Sequence, residues 1–250
     1  DFAIFYFIGM FFNLFAPSTV GGDVGRVYYL SSGGAGPERD GWVNRTGTAL
    51  SSVVADRAIG VAVLVWIGAL AVVIFPVYSL PSPIRYSTFA LALGLLVGWI
   101  LLPVIYRVIR LTVNPIGKSI AIAIETYGSA GKPIAMAIIL SLIVHFIQAG
   151  CHVILGLSLD FQIPWSYSFI LYPLVGIFMA IPVSFNGIGL REGGYLFLLQ
   201  LIEVGTEKAL AFGLLWFVIV VLDGMIGGVV FILRKSQGAF SITPGMGRSS

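Results

Sequence analysis

Phe15-Ala-Pro-Ser-Thr-Val-Gly-Gly-Asp-Val-Gly-Arg26 decides how this chain is read, because Ile181-Pro-Val-Ser-Phe-Asn-Gly-Ile-Gly-Leu-Arg-Glu192 repeats its plan. Each stretch follows an apolar arm, breaks at a proline, passes through glycines and places acid and base before a new apolar run. Pro17 and Pro182 cannot continue an incoming helix, and Gly21, Gly22, Gly187 and Gly189 allow backbone shapes that other residues resist. Each copy is therefore expected to form a helical hairpin with a charged tip. The echo continues downstream. Asp56-Arg-Ala-Ile-Gly60 lies 39 residues after Pro17, and Asp223-Gly-Met-Ile-Gly227 lies 41 after Pro182. Matching order and spacing of this kind marks an internal duplication, here about 2–80 and 165–235.

Composition fixes the class. Of 250 residues, 58% are hydrophobic and only 10% charged, so long apolar runs read as membrane-spanning helices. The net charge of +3 is small and spread over short loops, which gives no footing for nucleic acid. The lone Cys151 excludes disulfides and cysteine metal clusters within the chain. Because Asp1 opens inside an apolar segment, the N-terminus is expected to be truncated, with further helices upstream.

In chain order, residues 2–16 form an apolar arm that is short for a crossing. Full spans are expected at 58–80, 86–106, 133–159 and 209–233, the first extended backwards through Asp56 and Arg57. Residues 165–181 and 193–202 supply the arms of the second hairpin, and 236–250 is a polar cytoplasmic tail. Between Arg107 and Lys132, the spacing of Ile116, Ile120, Ala123 and Tyr127 predicts a helix lying in the membrane interface. Tyr78, Tyr86, Tyr106, Trp165 and Tyr167 fall near span ends, where aromatic rings favour headgroups. Kinks are expected at Pro103 and Pro173, and close helix packing at Gly224, Gly227 and Gly228.

Basic residues orient the chain. Nine lysines and arginines fall in the loops placed in the cytoplasm and two, Arg85 and Lys208, in the opposite loops. Three crossings separate the two hairpins, so the second copy is inverted relative to the first. The expected fold is an all-α polytopic helix bundle, residues 1–235 as one domain, with two inverted re-entrant hairpins whose tips approach the midplane.

Asp23, Arg26, Asp56, Arg57, Arg191, Glu192 and Asp223 then lie in apolar surroundings, where an isolated charge costs at least about 2.5–3.5 kcal/mol. Internal pairing, Asp23 with Arg26 and Arg191 with a carboxylate, is the plain reading. The sharper one is a headgroup site, with Arg26 and Arg191 clamping a phosphate and the acids facing any amine. Backbone N–H groups near Gly22 and Gly189 would add to such an anion site. Ser141, His145, Gln148 and His152 fall on one helical face, either as a cavity wall or as packed, satisfied side chains. The histidines are seven apart with no third ligand at motif spacing, so no metal is expected, and no other cofactor is implied.

The motifs at Asn13–Arg26, Asp56–Gly60 and Ile181–Glu192 resemble the transmembrane domain of bacterial lysylphosphatidylglycerol synthases and their stand-alone flippase-like relatives. The resemblance covers nearly the whole chain. It implies a multi-pass protein of the plasma or inner membrane that moves a phosphate-containing lipid, aminoacylated or polyprenyl-linked forms included, between leaflets. A lipid-synthesising enzyme is the implied partner. The tail after Ser236 holds no aminoacyl-transferase domain, and no catalytic triad, metal spacing or nucleotide loop marks an enzyme. Two alternatives stand beside transport: a headgroup transferase embedded in the membrane, and an accessory subunit of a cell-envelope lipid synthase.

Inversion gives the first prediction. In a Cys151→Ser background, a cysteine at Ser31 will label from the cytoplasmic side and one at Gly205 from the opposite side. Labelling of both from one side would remove the inversion.

Overall fold

The computed structural model describes residues 11, 39–110, 131–180 and 189–236. Among these there are seven helices and no strand. They are α1 (Arg39–Ile74), α2 (Ser82–Ile100), α3 (Leu102–Arg110), α4 (Gly131–Ser158), α5 (Trp165–Ala180), α6 (Leu190–Gln200) and α7 (Thr206–Ser236). Four stretches are long and apolar enough to cross a membrane: Ala55–Ile74, Ser82–Ile100, Gly131–Ser158 and Thr206–Val230. These correspond to the four spans expected from the sequence. Large apolar side chains such as Leu93, Phe146 and Leu214 are exposed on them, as suits helices solvated by lipid.

Several boundaries differ from the sequence reading for identifiable reasons. α1 stops at Ile74 instead of residue 80, because Phe75 precedes Pro76 and a residue before proline is pushed out of the helical region. At its other end α1 starts at Arg39, so part of the polar stretch is helical. The span expected at 86–106 is divided at Leu101, since Pro103 has no N–H to continue the ladder; Val104 and Ile105 restart it on the Leu101 carbonyl. α5 continues through Pro173. The first hairpin with Pro17, Gly21, Gly22, Asp23 and Arg26, the interfacial segment 111–130, the tip 181–188 with Pro182 and Gly187, and the tail from 237 lie outside the described residues.

α5 is the central helix, packed against α1, α4 and α6. Tyr167, Ile170, Leu171, Leu174 and Val175 are all but fully buried along it. Its crossing with α1 is close. A Cβ added at Gly68 would stand 3.0 Å from Pro173 Cβ, and one at Gly176 only 2.9 Å from Leu64 Cδ2. Against α4, Trp165 meets Gly150 while Tyr172 meets His145, so those two helices run antiparallel. Tyr167 was expected in an interfacial belt. It is instead 0% exposed, with its hydroxyl donating to the Leu198 carbonyl, because α6 folds back over it.

That return makes α5 and α6 an antiparallel pair. Tyr167 meets Leu198 at one end, and Val175 and Phe178 meet Gly194 towards the other. At 16 residues α5 is about 24 Å long and at 11 residues α6 is about 16 Å, both short of a hydrocarbon core of about 30 Å. α6 then runs antiparallel to α7, from Glu192 at Gly213 to Gln200, whose amide donates to Thr206 Oγ1 at 3.0 Å.

The α1–α5 contact is the testable part of this packing. Gly68→Val forces branched bulk against the rigid Pro173 ring and is expected to cost about 1–3 kcal/mol, the usual penalty of overpacking. Gly94→Val, on α2 where nothing lies within 4 Å, is expected to cost less. Denaturant unfolding of the purified protein in detergent compares them.

Candidate functional site

α6 begins at Gly189, whose φ of +86° is open to glycine and strained for other residues. Three positions on, Glu192 folds back, and its Oε2 accepts the Gly189 N–H at 2.6 Å. This is the acidic half of a capping box, and it places negative charge at the positive end of the helix. The sequence suggested that the Gly189 N–H would be open to an external anion. Its own helix already satisfies it.

The open donors belong to Arg191. This side chain is 0% exposed, yet only its Nε is paired, donating to Glu192 Oε1 at 3.2 Å. Nη1 and Nη2 are buried with no hydrogen-bond partner among the described residues. The guanidinium carbon lies 5.0 Å from the centre of the Phe217 ring on α7, a cation–π contact of roughly 0.5–2 kcal/mol. Phe217 is within one residue of the midpoint of the apolar stretch Thr206–Val230. The Arg191 guanidinium therefore sits level with the middle of a neighbouring span. Gly213 permits the approach, since a Cβ there would come within 3.3 Å of Glu192 Cα.

A buried donor without a partner costs about 1–3 kcal/mol, and more when charged. Arg191 holds two such nitrogens in a planar fork. Two parallel N–H groups of this kind fit two oxygens of one phosphate or carboxylate. Of the remaining members of the predicted set, Asp23 and Arg26 lie outside the described residues. Asp56 and Arg57 are exposed on α1, and Asp223 is half-buried on α7.

The polar stripe of α4 faces the bundle. His145 is buried, its Nε2 3.3 Å from the Gly60 carbonyl and its Nδ1 3.1 Å from the Tyr172 hydroxyl. His152, 0% exposed, has Nδ1 2.7 Å from the Gln148 carbonyl and Nε2 2.7 Å from the Tyr195 hydroxyl. Rings of Tyr172, Tyr195, Phe212 and Trp216 surround it, with centroids 4.2–5.8 Å away. Ser141 and Gln148 are half-buried. Of the two readings of the stripe, the histidines follow the packed and satisfied one. Sequence reasoning missed Tyr195 and Phe217. Tyr195 lies four residues after Arg191 and so shares its helical face, a signal open to inspection; nothing in the sequence pairs Phe217 with α6.

Stability separates the two charges. Glu192→Ala removes the one charge that faces Arg191 among the described residues and uncaps α6, and is expected to cost about 3–5 kcal/mol, as when a buried pair loses one member. Arg191→Met removes the unsatisfied nitrogens and leaves Glu192 its cap, so its unfolding in detergent is expected to match or exceed the parent chain.

Comparison with known proteins supports the membrane reading. No curated protein and no solved structure matches the chain significantly. The profile of one family, described as the lysylphosphatidylglycerol synthase TM region, matches residues 3–228. That match takes in both proline–glycine motifs, three of the apolar spans with all but the last two residues of the fourth, and the Arg191–Glu192 pair. With nearly its whole length covered, this multi-pass chain belongs to the lysylphosphatidylglycerol synthase TM-region family.

Proposed function

We propose that the protein translocates a phosphate-containing lipid between membrane leaflets, with Arg191 receiving the phosphate. The observation that carries this reading is a fully buried arginine, level with the middle of a span, whose two terminal nitrogens lack partners among the described residues. A group that only braces the fold gains nothing from unsatisfied donors. A group that must hold and release an anion needs them free. The headgroup would enter between α6 and α7 while the acyl chains stay in the bilayer, and no covalent step is required. Arg26, which occupies the related place in the first motif, is the proposed second phosphate contact, and Asp23 or Asp223 is the proposed partner of any headgroup amine. The plasma or inner membrane is the proposed location, with a lipid-synthesising enzyme as source of the cargo.

The test is transport itself. Purified protein in liposomes of phosphatidylcholine and phosphatidylglycerol, with acyl-labelled phosphatidylglycerol as probe, is assayed by chemical quenching of the outer leaflet. Arg191→Ala is expected to slow exchange about ten- to a hundredfold, the worth of hydrogen bonds to a charged group. Arg191→Lys should restore it only in part, because an ammonium cannot present a planar fork. Equal rates for the parent chain, Arg191→Ala and empty liposomes would withdraw the proposal.

A further inference from the structure

We propose that Tyr195, held by His152, is the positioning residue that aims the Arg191 guanidinium, a role that rests on Arg191 being the phosphate contact. Arg191 cannot aim itself. Among the described residues one contact at Nε fixes a single edge of the group, and Phe217 restrains one face. The direction of the free Nη edge therefore follows the rotation of α6 about its own axis. α6 has about three turns, too few to be stable alone, so its rotation must be fixed by neighbours.

Arg191, Tyr195, Leu198 and Leu199 make one buried face of α6, whereas Gly193, Phe197 and Gln200 are exposed. Leucines on that face slide past apolar neighbours with little penalty. Tyr195 does not, because its hydroxyl must meet a single atom. A backbone carbonyl only accepts, so the Gln148 contact requires the proton of His152 on Nδ1. In the neutral ring Nε2 then carries the lone pair and accepts the Tyr195 O–H at 2.7 Å. Tyr172, Phe212 and Trp216 hold the imidazole ring in place, and Phe212 also meets the Tyr195 ring edge-on at 5.0 Å. Turning α6 away from this phase would leave a buried hydroxyl and a buried ring nitrogen unpaired in a membrane interior. The same turn would move Arg191, one helical turn along the same face.

A double-mutant cycle in the liposome assay tests this, with initial rates measured against the density of acyl-labelled phosphatidylglycerol for the parent chain, Arg191→Ala, Tyr195→Phe and the double variant. Tyr195→Phe keeps the ring packing and is expected to raise the half-saturating lipid density about three- to tenfold, with little change in maximal rate. Added to Arg191→Ala it should cause no further loss. His152→Leu should behave like Tyr195→Phe, while His152→Gln, whose amide can replace both hydrogen bonds, should retain most of the parent affinity. If Tyr195→Phe does not fold, the cycle is completed with His152→Leu. Equal losses in both backgrounds, or no shift for Tyr195→Phe and His152→Leu, would overturn the positioning role while leaving the Arg191 reading intact. No effect of Arg191→Ala would remove both.

Discussion

A helix of three turns inside a membrane gains little from apolar contact, since lipid offers its side chains much the same surroundings as protein does. α6 is therefore held by polar bonds: Tyr167 to the Leu198 carbonyl, Tyr195 to His152, and Glu192 to its own first turn. The two tyrosine bonds, both buried, are strong here because the alternative is an unpaired group with no water to take its place. The placement of Arg191 depends on these three restraints together. Helices α4 and α5 supply partners for two of them, which explains why the described core centres on α5 and why tyrosines and a histidine are buried in it.

Much of this was legible in the sequence and some was not. The four spans follow from apolar run length, and the short arms follow from Pro182 and the glycines behind it. Span ends were misplaced where proline chemistry acts at a distance: Pro76 ends α1 two residues before itself, and Pro103 divides a continuous apolar run at Leu101. Tyr167 shows the reverse limit. Its position near a helix end suited an interfacial ring, and only the return of α6 buries it. The Arg191–Glu192 pair was found because two adjacent charges in an apolar setting demand explanation. The role of Glu192 as a cap was less visible, because it depends on where α6 starts.

The charged set also divides in a way that residue type alone could not indicate. Asp56 and Arg57 repeat the chemistry of Arg191 and Glu192 in adjacent positions, yet they stand exposed near the head of the apolar stretch of α1. Arg191 lies opposite Phe217, deep along α7. The difference is depth, which sequence spacing conveys only after the bounds of each helix are fixed.

Helix α1 runs unbroken for 36 residues, about 54 Å, while the hydrocarbon it crosses is about 30 Å thick. Unless strongly tilted, it must extend some 20 Å beyond the lipid at its Arg39 end as a rigid stalk. The same rod bears on the centre of the bundle through Leu64 and Gly68, which touch Gly176 and Pro173. A push or twist applied in the aqueous phase would thus travel by leverage, without an intervening hinge, to the helix on which the arginine-bearing arm rests.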